Sequence, residues 1–90
     1  MEYATRIRRK LEQGLAPEQL EIIDESSRHA GHAGAHPLGE SHFKVTIVAS
    51  AFNGKSRVAR QREVYALLAS ELEERVHALS LTTLTPDEAR

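Results

Sequence analysis

The sequence predicts an α/β domain built on one open, mixed sheet of three strands, with helices packed on a single face. Three observations predict this class: strand-like alternation in three segments, helix-like periodicity in two, and a helical connection between the second and third strands. Three strands cannot close into a barrel, so helices must cover their apolar face. The helical crossover makes the last two strands parallel if they are neighbours. The 90 residues are predicted to form one domain, 1–90.

The first element is an amphipathic helix. Apolar residues recur every four positions from Tyr3 to Leu11, basic residues occupy the other faces, and Gly14 is the predicted stop. A turn follows at Pro17, because the residue before a proline is disfavoured in the helical region. Alternating apolar and polar residues after this turn predict a first strand over 19–27.

A glycine-rich stretch separates the first two strands. Residues 29–40 contain three glycines, one proline and no periodicity, so they are predicted to form a long loop. The second strand, 42–50, is the clearest in the sequence, since Phe43, Val45 and Ile47 alternate with polar residues.

A long helix follows a tight turn at Asn53-Gly54. Ser56 is the predicted N-cap, and the period of about 3.6 over 57–75 predicts a helix with a break near Ala69. The residues predicted to face the core are Val58, Val64, Tyr65, Leu67, Leu68, Leu72 and Val76, and those predicted to face outward are Arg60, Gln61, Glu63, Glu71, Glu73 and Glu74.

The chain closes with a third strand and a short helix. Residues 78–84 alternate apolar and polar side chains, which predicts the strand. Thr85 is then a cap residue, and Pro86 stands at the first helical position. The predicted order is therefore helix, strand, strand, helix, strand, short helix.

Composition excludes several classes of protein. The 12 Lys and Arg nearly balance the 13 Asp and Glu, so no overall field attracts nucleic acid and any such binding must come from a local patch. With no cysteine, disulfides, thiol nucleophiles, zinc–thiolate sites and iron–sulfur clusters held by this chain's own thiolates are excluded. No constellation of catalytic residues is evident, so an enzyme is not predicted. Without a predicted signal peptide or membrane span, the expected compartment is the cytoplasm.

The five histidines are the unusual feature of the composition. His29, His32 and His36 are spaced three and four residues apart, and imidazoles in such a loop can converge on zinc, copper or iron, although loops of this kind are also often only polar connections. His77 lies between the long helix and the last strand, where a histidine commonly caps a helix end. His42 begins a strand and is predicted to be a partly buried polar residue.

Four basic residues cluster at the start of the long helix: Lys55, Arg57, Arg60 and Arg62. A basic helix end can contact phosphates or enter a nucleic-acid groove. The alternative is that these side chains only solvate an exposed helix face.

Four motifs in sequence give a resemblance to a known family: ESHFKVTIV at 40–48, FNGKS at 52–56, RQREVY at 60–65 and VHALSL at 76–81. The chain resembles the BolA family over nearly its whole length, from the first helix to Pro86. The resemblance implies a KH-like (class II) α-β-β-α-β-α fold without the nucleic-acid clamp of KH domains. One departure is Gln61, where family members frequently have histidine.

The resemblance implies two activities. One is a non-enzymatic partnership with a monothiol glutaredoxin, in which a heterodimer shares a [2Fe-2S] cluster with the help of glutathione; the isolated chain is expected to hold none. The family's ligand pattern matches His77 and His29, with His32 a close alternative and His36 a weaker match. The other activity is regulation of transcription, stress response and cell morphology by DNA contact through Lys55, Arg57, Arg60 and Arg62. A homodimer is left open, and a membrane partner is not expected.

Overall fold

The computed structural model describes residues 1–26 and 39–90. The elements in chain order are α1 (Glu2–Leu15), β1 (Gln19–Asp24), β2 (His42–Val48), a 3₁₀ turn (Ser50–Phe52), α2 (Arg57–Leu67), α3 (Ala69–Glu74) and β3 (Ala78–Leu84). Within these residues, no helix is long and apolar enough to cross a membrane.

The three strands form one sheet in the order β1-β2-β3. β1 runs antiparallel to β2, and β2 runs parallel to β3, with His42 opposite Ala78 and Val48 opposite Leu84. The mixed sheet predicted from the helical crossover is therefore confirmed. β1 and β3 are the two edges of the sheet.

The core lies between one face of the sheet and the helices. Alternate residues of β2 are buried against the apolar face of α1, while Gln19, Glu21 and Lys44 on the opposite sheet face are exposed. The helices thus cover a single face, as predicted. The core consists of Tyr3, Ile7, Leu11, Leu15, Phe43, Val45, Ile47, Ala49, Phe52, Val64, Leu68 and Val76.

Helix α1 continues one residue past its predicted stop. It ends at Leu15, and Ala16 takes the left-handed conformation (φ 45°) that usually belongs to glycine at this position. Gly14 has another role: a Cβ there would lie 2.8 Å from the Cδ atoms of Leu67, so the glycine lets α1 approach α2.

Both predicted strands of the first half are shorter in the structure. β1 ends at Asp24 because the carboxylate of Asp24 accepts hydrogen bonds from Ser26 N (2.9 Å) and Ser26 Oγ (2.5 Å), which turns the chain. β2 ends at Val48 because residues 50–52 form the 3₁₀ turn.

The predicted break in the long helix is confirmed, since α2 ends at Leu67 and α3 starts at Ala69. The assignment of its faces is partly wrong. Arg60 and Glu71 are only 6% and 0% exposed, although polarity predicted them outside. Val58 and Tyr65, predicted to face the core, are 58% and 40% exposed.

The physical reason is which face of α2 packs against the core. Its buried stripe is set by Arg60, Val64 and Leu68, which are spaced four apart, so Val58 and Tyr65 fall on another face. Arg60 is accommodated because its charge is paired, as described below.

The short helix predicted after β3 is reduced to one capped turn. Thr85 N donates to Glu88 Oε1 (2.8 Å), Glu88 N donates to Thr85 Oγ1 (3.2 Å), and Ala89 N donates to Thr85 O (3.1 Å). This is the reciprocal pattern of a capping box, so the predicted cap role of Thr85 is confirmed.

Candidate metal-ligand site

His77 lies at the junction where α3 has ended and β3 begins, and its side chain is exposed. Its backbone N–H donates to Ser41 O at 2.7 Å, and the next residue, Ala78, donates to the same oxygen at 3.2 Å. These bonds fix the backbone of His77 to the first residues of β2. The imidazole therefore projects from an anchored position and remains accessible to a partner.

A second imidazole lies beside it. The ring centroids of His42 and His77 are 5.4 Å apart, with an interplanar angle of 49°. His42 is 8% exposed, so it is buried more deeply than the partly buried position predicted for it, and its Nδ1 lies 2.9 Å from Ser41 Oγ. Residues 1–26 and 39–90 contain no group of three or more side chains that could hold a metal ion by themselves. A metal at His77 would need ligands from elsewhere.

The other predicted ligands, His29, His32 and His36, lie outside the described residues. The structure does describe both ends of the segment that carries them. Ser41 N donates to Ser26 Oγ (2.8 Å), and Glu25 N donates to His42 O (2.8 Å). Since Ser41 also accepts the His77 N–H, the segment leaves and rejoins the fold next to His77.

Glu40 ties the same region to α1. Its Oε2 accepts hydrogen bonds from Tyr3 N (2.6 Å) and Ala4 N (2.9 Å), so this carboxylate caps the positive end of the helix. Met1, the N-cap residue, provides no side-chain hydrogen bond. Glu40 N in turn donates to Asp24 Oδ2 (3.2 Å), which connects β1, Glu40 and α1.

A charged cluster holds α3, the helix that leads into His77. Arg6 Nε and Lys10 Nζ each donate to the buried Glu71 carboxylate at 2.9 Å. Burial by itself raises the pKa of Glu71, but the hydrogen bond from Lys10 and the charges of Lys10 and Arg6 outweigh it and leave the pKa below its ordinary value. Arg6 also binds Glu74 through both of its terminal nitrogens, at 2.9 and 3.0 Å.

The structure separates the four predicted DNA-contact residues into two kinds. Lys55 pairs with Glu63 (2.9 Å), and Arg60 is buried and pairs with Glu88 (2.6 Å). The hydrogen bond from Arg60, together with the hydrogen bonds from Thr85, lowers the pKa of Glu88 to about 2. Arg57 and Arg62 are exposed, and neither has an ion-pair partner in the part of the chain that the structure describes. The N-cap role predicted for Ser56 is confirmed, since its Oγ accepts from Ala59 N (3.1 Å).

Sequence reasoning missed three carboxylates that organise this region. Glu88 has a readable signal, the Thr-x-x-Glu capping box that begins at Thr85. The sequence contains no such signal for Glu40 or Glu71, because their partners in α1 are 30 or more positions away along the chain.

A family model described as "BolA: BolA-like protein" matches residues 11–88. The chain belongs to the BolA-like family. Among solved structures, BolA1 from Arabidopsis thaliana is similar, with 42% identity, a TM-score of 0.86, and 98% of this chain and 96% of that chain covered. The fold predicted from the sequence is thereby confirmed.

Two curated relatives illustrate the settings in which BolA-like domains occur. "SufE-like protein 1, chloroplastic/mitochondrial" from Arabidopsis thaliana is 51% identical over 92% of this chain, which spans only 24% of that protein. "DNA-binding transcriptional regulator BolA" from Escherichia coli (strain K12) is 46% identical over 89% of this chain and 72% of that protein. Since one of these relatives is named for organelles, the cytoplasmic location of this chain stays a prediction.

Proposed function

We propose that this BolA-like domain is a non-enzymatic adaptor that pairs with a monothiol glutaredoxin to share or transfer a [2Fe-2S] cluster. Its role would lie in iron–sulfur maturation or iron homeostasis in the cytoplasm. The observation that carries the proposal is the position of His77: an exposed imidazole on an anchored backbone, next to both ends of the segment that holds three further histidines.

The donor chemistry fits a shared cluster. His77 with His29 or His32 would bind one iron, and the glutaredoxin thiolate with glutathione would bind the other. A cysteine-free chain cannot complete a cluster alone, which makes a thiol-bearing partner a requirement. Two imidazoles on one iron and two thiolates on the other is the ligand division of Rieske centres.

Imidazole ligands also suit cargo that has to be handed on. Protons compete with iron for histidine near neutral pH, so a histidine-held iron is released more easily than one held by thiolates only. A BolA-like domain that forms part of a longer protein named SufE-like protein 1 further supports a role as a module that works next to another unit.

A mixing titration tests the proposal. Addition of this chain to a monothiol glutaredoxin with iron, sulfide and glutathione should give a heterodimer with a visible circular dichroism spectrum that differs from that of glutaredoxin alone. We expect His29→Ala or His32→Ala to remove this change and His36→Ala, the matched control, to keep it. A spectrum unaffected by the addition of the chain would contradict the proposal.

DNA binding is the second candidate function. It is favoured by the exposed Arg57 and Arg62 at the start of α2 and by the Escherichia coli relative named as a DNA-binding regulator. Lys55 and Arg60 are already paired with carboxylates and are weaker candidates for phosphate contacts.

We expect the double substitution Arg57→Gln/Arg62→Gln to weaken DNA binding and to reduce the slope of log K against log salt by about 2, since each phosphate contact contributes roughly 0.9. Fluorescence anisotropy over a salt series measures both quantities. Arg8→Gln/Arg9→Gln on α1 is the control with the same charge change. If sequence-specific binding is absent at physiological salt, this candidate is rejected.

A further inference from the structure

The two edges of the sheet differ in how they are protected against further pairing. Edge strands usually carry charges, prolines or covering groups that prevent the addition of another strand. β1 has Glu21 and Asp24 within it, and Arg8 Nη2 donates to Leu20 O at 3.4 Å. β3, with the sequence ALSLTTL, contains no charged residue and no proline over its seven residues.

The register shows which backbone groups of β3 point away from the sheet. Ala78 N donates to Ser41 O (3.2 Å), and Leu84 O accepts from Ala49 N (3.0 Å), so the even-numbered residues of β3 face β2. In a parallel pair the intervening residues direct their N–H and C=O groups outward. These are Leu79, Leu81 and Thr83.

One of these outward groups is already occupied. Arg60 Nη1 donates to Thr83 O at 3.0 Å, which confirms the outward direction and closes the C-terminal end of the edge. For Leu79 and Leu81, no strand among the described residues pairs with this side of β3. The open part of the edge therefore runs from Leu79 to the N–H of Thr83.

A groove of about 140 Å³ lies beside this edge, lined by Arg57, Gln61 and residues 81–84. Arg57 is exposed and has no ion-pair partner within the described part of the chain. An exposed guanidinium without an ion-pair partner can bind a carboxylate through two parallel hydrogen bonds. Arg57 therefore makes the groove favour a segment that carries an acidic side chain, in addition to the hydrogen bonds that the backbone groups of the edge can form.

We propose that the outer edge of β3 binds an extended segment of a partner protein as a fourth strand, with an acidic side chain of that segment placed against Arg57. Main-chain hydrogen bonds to Leu79 and Leu81 supply the affinity, and the groove at Arg57 supplies the specificity. The partner is the monothiol glutaredoxin of the proposed function, whose thiolate would complete the site at His77. This identification of the partner rests on the proposed function.

Two observations favour this occupant. His77 directly precedes β3, so a strand added to the edge extends to the candidate ligand and brings the partner next to it. A second copy of this chain is a poorer match. Antiparallel pairing of two β3 strands centred on Leu81 would place residues 78–81 of the second copy, which include no carboxylate, opposite residues 81–84 beside Arg57.

The test measures by calorimetry how tightly the full chain binds a monothiol glutaredoxin in the absence of iron. Leu81→Pro removes the outward N–H while keeping an apolar side chain, at an edge position where proline is tolerated. Leu81→Ala is the matched control, since it loses the side chain and keeps the N–H. We expect about tenfold weaker binding for Leu81→Pro than for Leu81→Ala, the effect of roughly one lost hydrogen bond of 1.4 kcal/mol.

Arg57→Gln should weaken binding about tenfold as well, because it removes a charge-assisted contact, whereas Arg9→Gln, the same charge change at an exposed position of α1, should not. Hydrogen exchange on the wild-type chain provides a measurement that does not depend on the folding of a variant. The amides of Leu79 and Leu81 should become protected when the partner is added, while Ser80 and Thr82, which face β2, should be protected already.

The inference is overturned if Leu81→Pro binds as well as Leu81→Ala, or if the amides of Leu79 and Leu81 gain no protection. It is also overturned if protection rises with the concentration of this chain alone, which would show a homodimer. Failure of the proposed function has a different signature: docking without iron is retained, and no shared cluster forms when iron and sulfide are supplied.

Discussion

Replacement of His77 by alanine is expected to abolish the shared cluster while the heterodimer still forms. The histidine is exposed, and its structural bonds to Ser41 are made by its backbone, so the loss of the side chain should change the free energy of unfolding by no more than about 0.5 kcal/mol. In the proposed ligand set His77 is one of two imidazoles on the same iron, and its loss would leave that iron without sufficient ligands.

The measurement is visible circular dichroism of the mixture, combined with size-exclusion chromatography to follow the heterodimer. His77→Cys supplies a second, stricter test. A thiolate in place of the imidazole should restore a cluster with a lower reduction potential, because imidazole ligands raise the potential of such centres. Spectra that are the same for wild type and His77→Ala would remove His77 from the ligand set.

The sheet could be predicted from the sequence because its main determinants are local. The alternation over 42–48 and 78–84 and the helical segment between them fix two parallel strands, since the crossover leaves little choice of topology. The position of His77 between helix and strand follows from the same boundaries. The break in the long helix lies at Leu68, one residue from its predicted position.

Side-chain burial on the long helix was less predictable, because periodicity reads only polarity. Polarity predicts that Arg60 and Glu71 face outward, yet each lies inside against a partner distant in sequence: Glu88 for Arg60, and Arg6 and Lys10 for Glu71. A buried charge becomes acceptable once it is paired and hydrogen-bonded, and the pairing is a property of the tertiary fold.

The candidate site could also be predicted only in part. The histidines that define it can be read from the sequence as a type of ligand with a suggestive spacing. The contacts that hold these residues in place cannot be read from the sequence, because they are made with backbone groups. Ser41 O holds the backbone of His77, and Glu40 caps α1. Such contacts depend on where strands and helices meet and leave no pattern in the order of residues.

Glu71→Ala is expected to cause the largest loss of stability, about 3 kcal/mol in the free energy of unfolding. The carboxylate is fully buried and accepts hydrogen bonds from Arg6 and Lys10, and hydrogen bonds to charged groups contribute roughly 1.5–3 kcal/mol each. Both cations are partly exposed and can regain water, which keeps the loss below the sum of the two bonds. Glu73→Ala, an exposed neighbour on α3, should change stability by no more than about 0.5 kcal/mol.

Urea denaturation at several pH values tests this expectation and its electrostatic cause. Because the pKa of Glu71 is lower in the folded state than its ordinary value of 4.5, its contribution is complete above about pH 4.5 and is lost as the pH falls through the folded-state pKa. The difference between wild type and Glu71→Ala should therefore be constant near neutral pH and shrink in acid. A difference that is small at neutral pH, or one that does not change with acidification, would mean that the ion pairs of Glu71 do not hold α3 against α1.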